Sequence, residues 1–226
     1  MTLASPVADS LPRSARAERS ALALGVVAAV VYNSWPLGFW LDRAGMRGTY
    51  VSVLEVPGRR DAHLFVTCDV LAGLLAVVAG LLLRRSRGPA AWGPAAWGLV
   101  IFGVGNVLEA SIPIDATCAV SVASCGTGPG AMFAPHDIAS LISLAGLAIA
   151  LWSLREHSRW MQAVIGLWIL TGLFMVISVV VVRWVTVSQT SFIVACGVAL
   201  AAVPLPIVLP PVRSLGRRGA LPPADG

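Results

Sequence analysis

Two acids and a histidine occupy apolar stretches of this sequence in which charged residues are rare. Asp69 and Glu109 fall inside long hydrophobic segments, and His136 lies at the start of another. A charged group inside a membrane costs about 3 kcal/mol or more and commonly marks a functional site. Carboxylates and an imidazole that meet can act as general acid and base, relay protons or bind a metal ion. Asp69, Glu109 and His136 are therefore the candidate catalytic residues.

Helical geometry predicts that these three side chains lie at similar heights. With a rise of 1.5 Å per residue, Asp69 lies about 21 Å, Glu109 about 28 Å and His136 about 27 Å from the inner ends of their helices. Glycines and alanines at helical spacing from each acid favour faces packed on other helices. We therefore expect a polar pocket beneath the outer surface. Its candidate binding residues are Asn33, Asn106, Asp115 and Ser140, with His63 as a further neighbour.

The sequence is compatible with more than one chemistry in this pocket. No spacing matches a metal signature such as His-Glu-x-x-His, so no residue is assigned as a metal ligand, and the sequence leaves any cofactor unknown. In a purely structural alternative, the two acids pair with arginines of the first outer loop and hold that loop to the bundle. Those arginines are Arg43, Arg47, Arg59 and Arg60.

The composition places the chain in a membrane. Hydrophobic residues make up 57% of it and charged residues 12%, whereas a soluble domain has roughly 25% charged residues. The net charge of +5 comes from arginines clustered between apolar segments, which argues against nucleic-acid binding. Since a spanning helix needs about 20 apolar residues, we predict an all-α, polytopic bundle of six transmembrane helices. The predicted spans are 21–40, 62–83, 91–110, 135–154, 160–182 and 187–210.

The arginines also predict the orientation and the boundaries of the bundle. With the N-terminus inside, eleven of the sixteen arginines fall on inner segments, so both termini are expected in the cytoplasm. The tails 1–20 and 213–226 are predicted to be disordered and cytosolic, and 21–212 to form the transmembrane domain. The short inner loops predict tight antiparallel hairpins between helices 2 and 3 and between helices 4 and 5. Pro36 is expected to kink or end the first helix.

Two cysteines lie in the second long outer loop. Cys118 and Cys125 are seven residues apart among small residues, in a compartment where a disulfide can persist. We predict that they form a disulfide, which would contribute about 2–3 kcal/mol. Cys68 and Cys196 lie in apolar helices and are expected to be buried.

Several of these features together resemble a known family. A third span that ends in "SIPID", a glycine-containing outer loop and a fourth span that opens with "PHDIAS" resemble the bacterial six-span membrane family known as domain of unknown function nine hundred and ninety-eight. The stretch "VSVLEVPGRRDAHLFVTCDVLAGL" is similar to that family's first outer loop and second span. The matching positions are Pro113, Asp115 and His136, whereas the paired cysteines are a departure. The resemblance implies a six-span protein of a bacterial inner membrane and no particular reaction.

The leading functional hypothesis is an enzyme that uses Asp69, Glu109 and His136 for acid/base chemistry on a lipidic or isoprenoid-like substrate. Membrane lipid is then the expected partner, and the sequence does not indicate an oligomeric state. A proton-coupled transporter of small solutes is one alternative, although the inner halves of the helices lack polar residues. A structural or assembly protein without a catalytic site is the other.

Overall fold

The computed structural model describes residues 13–41, 50–86, 93–112, 135–181 and 184–208, and every regular element in these ranges is a helix. A short 3-10 helix between the first two spans is called the loop helix here. The α-helices are α1 (Arg13–Tyr32), α2 (Pro36–Leu41), α3 (Ala62–Ser86), α4 (Gly93–Ser111), α5 (Pro135–Ser153), α6 (Arg159–Val181), α7 (Val185–Ala202) and α8 (Leu205–Val208), and the loop helix is Val51–Glu55.

Within the described ranges, six stretches are long and apolar enough to cross a membrane, and they match the six predicted spans. They are Ala15–Leu41, Ala62–Ser86, Gly93–Ser111, Pro135–Ser153, Arg159–Ser178 and Val185–Ala202. The prediction of an all-helical six-span protein is therefore confirmed. The first span is broken as expected, because α1 ends at Tyr32 and Pro36 opens α2. Proline suits that position, since the first turn of a helix leaves its N–H groups unbonded.

The helices are held together by backbones that approach closely at small residues. α4 packs between α3 and α5, and α1 packs against α3 and α7. A Cβ added to Gly98 would lie 2.6 Å from the carbonyl oxygen of Gly146, and one added to Gly73 would lie 2.7 Å from that of Gly103. Without a hydrophobic driving force between helices in lipid, such close contacts supply the packing energy. The glycines therefore fix α3, α4 and α5 as one layer.

The predicted hairpin between helices 4 and 5, which are α5 and α6, is wrong. α3 and α4 do form a tight pair, but α5 makes few contacts with α6, which packs mainly on α7. The reason is that α5 uses its close-packing face, at Gly146, on α4. α6 instead contacts α7 through aromatic side chains, with the rings of Trp168 and Phe192 5.8 Å apart. A short loop joins the ends of two helices without making the rest of them pack.

Candidate functional site

A cavity of about 550 Å³ lies at the end of the bundle where α1 finishes and α3 begins. The loop helix and residues of α1, α3, α4, α5, α6 and α7 line it. Its polar lining includes Glu55, Asp69, Glu109, His136 and Ser140, and its aromatic lining consists of Tyr32, Trp35, Tyr50, Phe65 and Phe192. The cavity thus combines proton-exchanging groups with a large apolar surface.

Three of the polar groups meet where the end of α4 faces the start of α5. Ser140 Oγ donates a hydrogen bond to Glu109 Oε1. His136 Nε2 lies 3.7 Å from the same oxygen. Four residues separate His136 from Ser140, so both project from one face of α5. This spacing lets a single helix present an imidazole and a hydroxyl to one carboxylate.

The hydrogen bonds of His136 determine which of its ring nitrogens carries a proton. Nδ1 lies 3.1 Å from the carbonyl oxygen of Glu109 and 3.1 Å from that of Ile112. A carbonyl can only accept, so we assign the proton to Nδ1. These carbonyls lie at the end of α4, where helical acceptors have no partner within the helix. In the neutral ring, Nε2 therefore has a free lone pair beside Glu109 and can take up a proton.

A pair of carboxyl groups forms the second polar feature of the cavity. The side chain of Glu55, at the end of the loop helix, is hydrogen-bonded to that of Asp69 on α3. Ionised carboxylates are acceptors only, so this bond requires a proton on one of the two. Burial raises the pKa of Glu55 above its usual range, while the hydrogen bond to Asp69 and the nearby His136 oppose that rise. Two carboxyl groups bonded to each other in this way can share one proton.

Apolar packing and one hydrogen bond hold the loop helix in place. Val51 and Leu54 are buried in a cluster with Phe65, and Trp35 packs against it. The backbone N–H of Val51 donates to Gln189 Oε1 of α7 over 2.5 Å. These contacts hold the loop helix, which lies outside the spans, against the end of the bundle. Glu55 is thereby placed next to Asp69.

The structure brings together only part of the predicted set. Asp69, Glu109, His136 and Ser140 line the cavity, whereas Asn33, Asn106 and His63 do not. Asn106 is buried and its amide donates to the backbone oxygen of Asp69 over 2.6 Å, which ties α4 to α3. Asp115, Cys118 and Cys125 lie outside the described residues.

Asn33 has a local role that explains why it misses the cavity. It directly follows the last residue of α1, and its amide donates to the carbonyl of Ala29 over 2.8 Å. Its side-chain oxygen accepts a hydrogen bond from Trp35 Nε1 at 3.3 Å. Both groups of the amide are therefore occupied in closing the end of the helix.

Sequence reasoning missed Glu55, Tyr32, Tyr50 and Gln189. A signal for Glu55 existed, because it is the one acid in "YVSVLEVPG", where the neighbouring valines and leucine are apolar enough to be buried. Val53, Leu54 and Val56 are in fact buried on either side of it. Tyr50 also lines the cavity. The pKa of its hydroxyl is raised, mainly by burial and to a smaller extent by the nearby charge of Asp137.

The arrangement offers two different proton sites that face one cavity. The Glu55–Asp69 pair holds a proton that it can donate, and Glu109 with His136 Nε2 can accept one. Among the residues that the structure describes, no three His, Cys, Asp or Glu side chains are grouped to hold a metal ion. The carboxyl, imidazole and hydroxyl groups that line the cavity can transfer protons.

The chain belongs to the family described as "Protein of unknown function (DUF998)", whose sequence model matches residues 21–205. This match confirms the resemblance carried by the third and fourth spans and by the first outer loop. No curated protein and no solved structure matches the chain.

Proposed function

We propose that this family member is a membrane enzyme that performs acid/base chemistry on a lipidic, isoprenoid-like substrate. The observation that carries the proposal is the pairing of a proton-holding carboxyl pair, Glu55 and Asp69, with a proton acceptor, Glu109 and His136, in one cavity. Enzymes that separate the roles of two carboxyl groups by their environments use them as acid and base.

In the proposed reaction, one proton moves onto the substrate and one leaves it. The protonated member of the Glu55–Asp69 pair donates to a carbonyl oxygen, to one carbon of a double bond, or to a hydroxyl group that leaves as water. Glu109 or His136 Nε2 takes a proton from the neighbouring carbon, and the electron pair of that C–H bond forms the new double bond. That proton then returns across the cavity to the Glu55–Asp69 pair. The enzyme thereby regains its initial protonation state, and the reaction neither consumes nor releases a proton.

The charges of the cavity favour a substrate without a phosphate or carboxylate. The described lining residues include Glu55, Asp69, Glu109 and Asp137 and no arginine or lysine. A phosphate about 6 Å from an ionised carboxylate would be repelled by about 3 kcal/mol at an effective dielectric constant of 20. An alcohol, a carbonyl or an alkene at the end of a hydrocarbon chain avoids this cost.

The proposed setting is a bacterial cytoplasmic membrane with both termini inside. The excess of arginines at the ends of the spans opposite the cavity supports this orientation. It places the cavity towards the outer face, and with it the loop that contains Cys118 and Cys125. A disulfide between these two cysteines belongs to the same proposal.

Proton-coupled transport is the second hypothesis, and the packing of the bundle counts against it. The lining residues lie at one end, while the opposite half is filled by fully buried side chains such as Leu83, Leu99 and Leu151. A solute would need a large rearrangement of this core to cross. A purely structural role is distinguished from catalysis by the following experiment.

The test compares membrane lipids in cells that express the protein or its variants. Untargeted mass spectrometry of the wild-type membranes should show a neutral lipid whose abundance changes on expression. Asp69→Asn and Glu109→Gln should abolish that change, because each removes a proton-exchanging group while keeping the shape of the side chain. Glu156→Gln, at an exposed position outside the cavity, should behave as wild type. Identical lipid profiles for all four proteins at equal abundance would refute the proposal.

A further inference from the structure

Few backbone contacts join α5 to the α6–α7 pair on one side of the cavity. The turn 154–158 joins the near ends of α5 and α6, yet α5 makes few contacts with either α6 or α7. Leu144 of α5, Met175 of α6 and Phe192 of α7 all line the cavity. Leu141 lines it as well and is 60% exposed. On this side the cavity wall thus includes one exposed side chain, at a gap between the helix backbones that we call the lateral slot (Leu141, Leu144, Met175 and Phe192).

The surroundings of the lateral slot are apolar. Its three helices are all long and apolar enough to span a membrane, so in a bilayer this side of the bundle would face hydrocarbon. On either side of it, α5 and α6 expose large apolar residues to the outside. These include Ile138, Ile142, Leu173, Val176 and Ile177. Whatever enters through the slot therefore comes from the bilayer.

The walls change from polar to apolar over a short distance. Ser140, which bonds Glu109, and Leu144 are four residues apart on α5, or about 6 Å along the helix. The polar end of the cavity holds the carboxyl groups and His136, and the slot side holds Leu144, Met175 and Phe192. This change in polarity matches an amphiphile whose polar head lies beside the carboxyl groups and whose hydrocarbon tail extends into the lateral slot.

We propose that the lateral slot binds the hydrocarbon chain of a single-chain neutral lipid, which enters the cavity head first from the bilayer. The nature of the head group rests on the proposed function. The new elements are the route of entry from the bilayer and the binding site of the hydrocarbon chain. Chain and head would then be bound by different walls, so that the slot selects the tail and the carboxyl groups select the head.

Met175 is the residue of α6 that lines the slot, and its side chain suits a movable wall. Methionine is unbranched and flexible, so it can adapt to a chain that slides past it. Three residues earlier, Gly172 leaves room for the Phe192 ring, since a Cβ there would lie 3.1 Å from Phe192 Cε2. A large rigid side chain at 175 should therefore obstruct the slot without disturbing the acids.

The experiment uses hexadecanol with a mid-chain diazirine as a photo-crosslinking probe. The full-length protein is reconstituted in phosphatidylcholine nanodiscs and labelled over a range of probe concentrations, and the crosslinked peptides are identified by mass spectrometry. Labelling of the slot residues should saturate, and at low probe concentration Met175→Trp should lower it by about fivefold or more, which corresponds to an equal loss of affinity. Ile149→Trp, on the exposed face of α5, should leave saturable labelling unchanged.

The outcomes separate the slot from the chemistry. Labelling that rises linearly with probe at every position, or a Met175→Trp variant that labels like wild type, would overturn the slot. Should Met175→Trp fail to fold, Leu144→Trp obstructs the same gap from α5 and carries the same expectation. Saturable labelling in a protein whose expression changes no lipid would support the slot and refute the acid/base proposal alone.

Discussion

At the scale of single residues, the most informative side chain is Glu55, which lies outside the spans and was not among the candidates. Its hydrogen bond with Asp69 turns two acids that could repel each other into a pair that shares a proton. Asp69 could be predicted from sequence because a lone acid in an apolar helix is conspicuous. Glu55 could not be predicted in the same way, because an acid in a loop ordinarily lies in water.

The stability of the protein should reflect this proton. The folded state raises the pKa of Glu55, whereas the unfolded chain releases the proton near pH 4.3, or about the ordinary value for glutamate. The folded protein therefore binds more protons above that pH, and the stability from this group falls as pH rises through the folded pKa. The melting temperature in detergent should decline over this range in wild type, and less so in Glu55→Gln.

Glu156→Gln provides the control for this titration, because Glu156 is exposed beside Arg155. Its melting temperature should follow the wild-type pH profile. If Glu55→Gln showed the same pH dependence as wild type and Glu156→Gln, the shared proton would be assigned to the wrong group.

At the scale of helices, the interface of α4 with α5 sets the geometry of the site. Gly98 and Gly105 of α4 lie against α5, and Gly146 of α5 lies against α4. The same two helices carry Glu109, and His136 with Ser140. Close backbone packing in the middle of the helices therefore positions the hydrogen bonds at their ends.

Gly146→Val should weaken this interface. An added Cβ would lie 2.7 Å from the Gly98 carbonyl oxygen and 2.9 Å from the carbonyl carbon of Ile101, so the helices would have to separate. Overpacking of this kind costs about 1–3 kcal/mol, which a lower melting temperature in detergent would report. Gly166→Val in α6, where nothing lies within 4 Å of an added Cβ, is the matched control and should change it little. Equal melting temperatures for the two variants would contradict this role of Gly146.

At the scale of the whole molecule, hydropathy was sufficient to predict the six spans. It was insufficient to predict which spans pack against each other. Burial in lipid demands a long apolar segment, and that requirement is visible in sequence. Which helices touch depends on side-chain shapes at specific positions, such as the facing Gly98 and Gly146. The divergence of α5 from α6 follows from such contacts, so the short turn between them was misleading. The lateral slot is a consequence of that divergence.

Orientation is a property of the whole molecule and can be tested with fusions. With both termini in the cytoplasm, green fluorescent protein fused after Gly226 should fluoresce in bacterial cells, and alkaline phosphatase at the same position should be inactive. Alkaline phosphatase inserted after Ile112, at the cavity end of α4, should be active because the proposed orientation places that end in the periplasm. The reverse pattern of activities would place the cavity on the cytoplasmic side.

One contact connects the two halves of the proposed site mechanically. Gln189, which anchors the backbone of Val51, and Phe192, which lines the slot, are three residues apart on α7. A hydrocarbon tail that pushes α7 outward would also pull on the anchor of the segment that carries Glu55. Binding of the hydrocarbon tail and movement of Glu55 would then both follow from one displacement of α7. Gln189→Ala removes the side-chain acceptor for the Val51 N–H and would uncouple the two.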